Sequence, residues 1–151
     1  ETQDQIGYYK EFEKEKIVWA ETSSQLKFYL DYDRYYIDKT CFMLFGKNLK
    51  YLCGVINSKL TDFIFRNQIA SKLGKDGLQL AKIYIERISI PLVSSSNQPI
   101  VNQIESLVNE ILSLKNGNIK TDASNQEKQI DQLVYKLYLL KEDEIALVEK
   151  G

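Results

Sequence analysis

Apolar residues are spaced in two different ways along this chain. Between residues 16 and 45 they come in short β-branched and aromatic runs. KIVWAE (16–21) and LKFYLDY (26–32), separated by a Thr-Ser-Ser turn, predict two strands. RYYIDKTCFMLF (34–45) predicts a third extended region, with Cys41 to Phe45 a nearly continuous apolar run suited to a central strand and broken by Gly46. Helical spacing then takes over. Asn48 is placed to cap a helix in which Leu49, Leu52, Cys53 and Ile56 recur, and Asn57-Ser58 offers a second cap before Leu60, Phe63 and Ile64. SKLGKDG (71–77) predicts a loop, because two glycines, two lysines and an aspartate interrupt both periods. LAKIYIERISIPL (80–92) predicts a strand with a bend, stopped by Pro91.

After residue 97 the pattern is that of long helices. Ile100, Ile104, Leu107, Val108, Ile111, Leu112 and Leu114 form one apolar stripe, closed by Lys115-Asn116-Gly117. A polar connector (116–126) leads to a second helix with Ile130, Leu133, Val134 and Leu137 on one face, and the two stripes predict an antiparallel pair. The closing stretch IDQLVYKLYLLKEDEIALVE (130–149) continues through an acidic turn into a short last helix. The fold class expected is mixed α/β (α+β). A small, mainly antiparallel or mixed sheet has flanking helices, followed by the C-terminal helix pair and the short last helix. The organisation expected is a polar lead-in (1–15), an α/β core (16–96) and a C-terminal helical region (97–151).

At 151 residues, with 44% apolar and 11% aromatic residues, the chain has enough material for a core of its own. Its net charge of −1 conceals an asymmetry. From Lys39 to Arg87 nine basic residues face three acidic ones, a local balance of +6, whereas from Pro91 onward six lysines face nine acids. That distribution fits a basic surface for an anionic partner as well as an unevenly charged solvated face. Cys41 and Cys53 both sit in apolar runs and are read as buried free thiols in a reducing compartment. No run approaches the length of a membrane span. The polar opening ETQDQIGYYKEFEKEK carries no signal peptide and no initiator Met, so a piece of a longer protein is expected.

Little of the usual catalytic chemistry is represented. The chain has no histidine, which removes imidazole bases and Ser-His-Asp triads. Neither glycine-rich phosphate cradle occurs, and Gly74 and Gly77 are too close together to form one. The tripeptide Glu-x-Lys, a common part of carboxylate–metal nuclease sites, is absent as well. Glu11, Glu13 and Glu15 are clustered, but with interleaved lysines and no apolar strand around them, and are read as a solvated lead-in. No catalysis is expected within these residues.

The closing 130–149 stretch resembles the closing signature of bacterial restriction–modification enzymes in which methyltransferase, nuclease and specificity parts share one chain. Three segments upstream, KIVWAE, YLCGVINSKLTDFIFRN (51–67) and YIERISIPL (84–92), resemble in order the landmarks of the TaqI-like C-terminal specificity domain. This is the target-recognition module of bifunctional Type IIG restriction–modification enzymes and adenine-specific DNA methyltransferases. Asn57-Ser58-Lys59-Leu60 and the Ile-Pro-Leu at 90–92 are the most telling matches. One departure is clear. The family tail reads Leu-Tyr-Gly-Leu-Thr where this chain has Leu-Tyr-Leu-Leu-Lys at 137–141. Lys141 cannot act as a capping acceptor, so Glu144 is expected to lose its reciprocal partner and the last helix to start frayed.

The resemblance implies a module that reads double-stranded DNA and positions methyltransferase and nuclease parts lying outside it, in a bacterial cytoplasm. S-adenosylmethionine and Mg2+ would serve the parent enzyme, with no cofactor in this piece. The expected DNA face centres on Lys72, Lys75 and Asp76, with Lys47, Asn48 and Arg66 nearby and Ser71 and Gln79 adding hydrogen bonds. Asp76 is read as a turn former ahead of a cytosine acceptor; Arg66 is either a guanine reader or a helix-end cation. Tyr35 and Tyr36 are read as core ahead of base-stacking residues, and Trp19 as core. The helices after residue 97 would dock the module onto the methyltransferase part, and the excised piece could self-associate through 97–149. The competing hypothesis is a helical interaction scaffold in which residues 97–149 dimerise or bind a protein, the basic middle is incidental and no DNA is read.

Overall fold

The computed structural model describes residues 9–74, 77–116, 118 and 120–151, leaving out the side chains of Tyr9 and Lys72. After a helical turn, α1 (Tyr9–Phe12), the chain enters β1 (Lys16–Ala20). β1 is the middle strand of an antiparallel sheet, between β3 (Tyr29–Asp31) and β4 (Cys41–Leu44). Alternation decides the faces: Ile17 and Trp19 are buried against the core, and Trp19 stacks on Phe42 directly across the ladder at 5.6 Å between ring centroids. Beyond β1 the chain bends at Glu21 and continues as β2 (Thr22–Ser23), which joins a second antiparallel sheet of order β2-β6-β5. The other two strands, β5 (Ser71–Leu73) and β6 (Gly77–Gln79), form a hairpin. The two sheets are tied where they meet. The Glu21 carbonyl accepts from the Leu80 N–H (2.7 Å), and the Trp19 indole N–H donates to the Leu80 carbonyl (2.8 Å).

The loop expected at 71–77 is therefore a hairpin. Its strands are three residues long, and β6 also pairs with Thr22-Ser23, far back in the chain, so no local pattern marks it. Gly77 is required there, since a Cβ at that position would stand 2.4 Å from the Leu73 carbonyl oxygen.

The strand expected over 80–92 does not form. Its place is taken by a helical turn, α4 (Lys82–Ile85), and an extended segment without a strand partner. The apolar spacing steps by three between Ile85 and Ile88, and the Ile88 N–H donates to the Ile85 carbonyl (3.1 Å) as in a helical turn. Ile83 is exposed, while Ile85, Ile88 and Ile90 lean on the sheet core.

The helices α2 (Leu49–Ile56), α3 (Lys59–Ile64), α5 (Gln98–Lys115), α6 (Ser124–Leu137) and α7 (Glu142–Lys150) build the other half, and a π-helical turn (Phe65–Ile69) leads from α3 into β5. Lys115, at the end of α5, lies 3.4 Å from Glu127 in the first turn of α6, as an antiparallel pair requires. Asn48 stands at the start of α2 in the left-handed region (φ 57) and makes no side-chain cap, contrary to expectation. Ser58 does cap α3, accepting from the Thr61 N–H. At α7 the Glu144 carboxylate still accepts from the Lys141 N–H (2.8 Å). Only the reverse half of the capping box is missing, because an ammonium has no lone pair to offer.

α2 is the wall between two cores. Leu49, Cys53 and Ile56 face the sheets; Tyr51 and Val55 face a second core with Val101, Ile104, Val108, Ile130 and Val134. Gly54 lets α5 approach closely, since a Cβ there would stand 2.5 Å from Ile104 Cγ2.

The segments that carry the family resemblance are cross-tied to one another. The Asn57 carboxamide brackets the backbone of Phe28, accepting from its N–H (3.0 Å) and donating to its carbonyl (2.9 Å). The Lys59 N–H donates to buried Asp131 on α6 (2.8 Å), and its ammonium pairs with Glu149 on α7. Tyr135 also donates to Glu149 (2.8 Å). Tyr138 and Tyr51 donate to the carbonyls of Ser89 and Pro91 (2.7 Å each), clamping the Ile-Pro-Leu segment to the helices. Lys59 holds the Glu149 carboxyl below the usual range, while burial pushes the Asp131 carboxyl up.

Candidate nucleic-acid interface

In the second sheet Leu78 is buried and marks the core-facing side. Its neighbour Gln79 therefore points the other way, opposite both Thr22 and Ser71. A hydroxyl, a carboxamide and a second hydroxyl line up across three strands, Thr22 exposed and the other two half-buried. None of the three side chains hydrogen-bonds to a described residue. Together they offer hydrogen-bond donors and acceptors of both kinds. Thr22 was not foreseen from the sequence, since its role depends on a β2–β6 pairing that no local pattern announces.

The other residues expected at this face divide into two groups. Ser71 and Gln79 belong to the row, and Lys72 stands opposite Leu78 in the register. Lys75 and Asp76 lie outside the described residues. Arg66 is close to the same sheet: its Nε donates to Asp62 (2.7 Å) and its guanidinium to the carbonyl of Ser24, just past β2 (3.2 Å).

Lys47 and Asn48 are at the opposite end of β1. Leu44 pairs with Ile17, so residues 47–48 lie past the N-terminal end of that strand, whereas β2 extends its C-terminal end. Lys50, the second residue of α2, holds its ammonium 5.9 Å from the Tyr32 ring centroid, which places the start of α2 beside the loop after β3. Burial raises the Tyr32 hydroxyl to about 12.

Tyr35 and Tyr36, expected in the core, are on this loop and are exposed by 66% and 59%. The left-handed backbone of Arg34 (φ 61) breaks the extended run and leaves the pair outside the sheet. Trp19 is buried as expected. Cys53 is buried, and burial pushes its thiol up to about 11, so it is an inert core group. Cys41, expected to be buried, is only half-buried, on the outer row of β4.

Among the described residues no cluster of His, Cys, Asp or Glu could hold a metal ion, and no helix is long and apolar enough to cross a membrane. The family model for the TaqI-like C-terminal specificity domain matches residues 1–107. No curated protein matches the chain significantly.

Proposed function

The chain belongs to the TaqI-like C-terminal specificity domain family, a DNA-recognition module of restriction–modification systems, and from that premise we propose that it reads its target through the β5–β6 hairpin. The supporting observation is the row Thr22–Gln79–Ser71, three polar side chains across one sheet with no partner among the described residues. A buried polar group needs a partner and a solvated one is satisfied by water, so an uncommitted row at the surface is available to base edges at little cost. The carboxamide of Gln79 suits bidentate recognition of adenine, with the two hydroxyls able to donate or accept on either side. Lys72, at an edge-strand position whose register puts it on the face opposite the row, and Lys75 are assigned to phosphate contacts beside the reading face and not to base edges. In the parent enzyme, residues 97–149 brace this module against a methyltransferase part, and a nuclease part where one is present. Such an enzyme works on DNA in the bacterial cytoplasm.

Fluorescence anisotropy with a randomised set of duplexes at low salt tests this reading. Gln79→Ala should relax discrimination at one position by about 1–3 kcal/mol and leave the salt dependence unchanged. Lys72→Ala and Lys75→Ala should weaken all duplexes alike and each lower the salt slope by about one. Unchanged affinity and discrimination in all three variants would rule the hairpin out as the reading face.

A further inference from the structure

The loop after β3 is built to present an aromatic ring. The Tyr35 N–H donates to Asp31 (3.0 Å), whose carboxylate is clamped by the fully buried ammonium of Lys16. Lys16 is fixed in turn by the Phe12 carbonyl (2.9 Å), and the Tyr36 ring packs on Phe12 with centroids 5.1 Å apart. The backbone is thus held on both sides of Tyr35, and Arg34 is kept in a left-handed conformation that an L-residue other than glycine or asparagine seldom adopts. Yet the Tyr35 ring is 66% exposed. Backbone strain held in place by a buried ion pair, next to a ring kept in solvent, points to a role outside the fold.

The surroundings indicate a partner. Lys50 lies over Tyr32 at 5.9 Å, with Lys47 and Asn48 just ahead of it in the chain, so the ring shares its end of the molecule with Arg34, Lys47 and Lys50. The acids nearby are Asp33, Glu15 and Glu105, the last two acting on Tyr32, while Asp31 is neutralised by Lys16. An exposed planar ring at an end of the molecule that also carries cations suits a base face and its phosphate, and such stacking is indifferent to base identity because every base has a π-face. We propose that the 32–36 loop, with Tyr35 as its platform, is a second nucleic-acid contact that takes an unstacked base. This rests on the DNA reading above but uses a different surface and a different chemistry: ring stacking at one end of β1, base-edge hydrogen bonds at the other.

The test uses the full chain carrying Tyr35→Trp, against the constant background of buried, hydrogen-bonded Trp19. The protein is titrated with a paired duplex and with the same duplex bearing one unpaired nucleotide. Indole emission should be quenched by the second ligand and much less by the first. Tyr35→Ala should bind the unpaired-nucleotide duplex roughly tenfold more weakly, with Tyr35→Phe close to the parent chain and paired-duplex affinity unchanged in both. Unquenched emission at saturation, with Tyr35→Ala binding both ligands as the parent does, overturns the proposal and leaves the ring as a contact for protein. If Gln79→Ala still relaxes discrimination in that case, the hairpin reading survives alone. If neither duplex binds at low salt, both fall.

Discussion

The helical half and the second sheet use polar residues in opposite ways. In the helices and the segments they hold, polar side chains are committed inward: Asn57 to Phe28, Lys59 to Asp131 and Glu149, and Tyr51 and Tyr138 to backbone carbonyls of the 89–91 segment. In the second sheet Thr22, Gln79 and Ser71 are committed to nothing within the described protein. The residues by which the family resemblance is recognised are therefore mostly those that lock the scaffold. The residues available for recognition are ordinary-looking polar side chains on strands of two and three residues. A scaffold cross-tied at several points can hold such a short sheet in one orientation, which precise contact with base edges requires.

The largest effect should come from breaking the buried Lys16–Asp31 pair on the outer side of the first sheet. Lys16→Met leaves Asp31 buried without its counter-charge, and Asp31 already has one oxygen, Oδ1, with no described partner. Removing one member of a buried pair typically costs about 3–5 kcal/mol, so urea denaturation should show a loss of that size. Replacing both residues, Lys16→Met with Asp31→Leu, should recover much of it. A single variant as stable as the parent would show that the pair is dispensable and that the 32–36 loop is held by something else.

A smaller loss is expected at the junction between the halves. Asp131→Ala removes the acceptor for the Lys59 N–H, an orphan donor at the first turn of α3, and should cost about 2 kcal/mol. Asp131→Asn keeps an acceptor in place and should cost less. Because Asp131 shares no hydrogen bond with Thr22, Gln79 or Ser71, duplex discrimination by the folded protein should persist in both variants. A selective loss of discrimination with stability intact would mean that the halves are less separable in function than their chemistry suggests.

What the sequence made legible follows from where each pattern resides. β1 and the helices α2, α5 and α6 are set by local periodicity, and Trp19, Ile104 and Val134 could be assigned to the core from spacing alone. Family membership was legible because its landmarks are contiguous. The hairpin was not, since three-residue strands have no period and their pairing to Thr22-Ser23 is long-range. The 80–92 segment misled because its isoleucines look alternating until the step of three at Ile88. Tyr35 and Tyr36 misled for another reason: paired aromatics near strands usually pack, and one left-handed residue before them reverses the outcome. Lys47 and Asn48 were grouped with the hairpin because both lie in the basic middle of the chain, which carries no information about which end of β1 they occupy.

The smallest predicted effect has the opposite sign. Leu139, at the position where the tail signature that this stretch resembles has glycine, is left-handed (φ 56) and 86% exposed. The Leu140 N–H reaches back to the Tyr135 carbonyl (3.0 Å) and the Leu139 N–H to Lys136 (3.1 Å), so this is the turn that ends α6, where glycine is the usual residue. A leucine in that conformation costs about 1–2 kcal/mol through its Cβ, and its exposed side chain offsets none of that by packing. Leu139→Gly removes the strain but adds about 0.5–1 kcal/mol of backbone entropy to the unfolded chain. The net expectation is a gain of roughly 0.5 kcal/mol, read as a small upward shift in the urea midpoint with an unchanged slope. A loss of stability instead would mean that the Leu139 side chain contributes in solution, as it would if the helical half self-associates there. Sedimentation of Leu139→Gly beside the parent chain separates the two outcomes: a lighter species accompanying lower stability would mark Leu139 as part of a contact between copies.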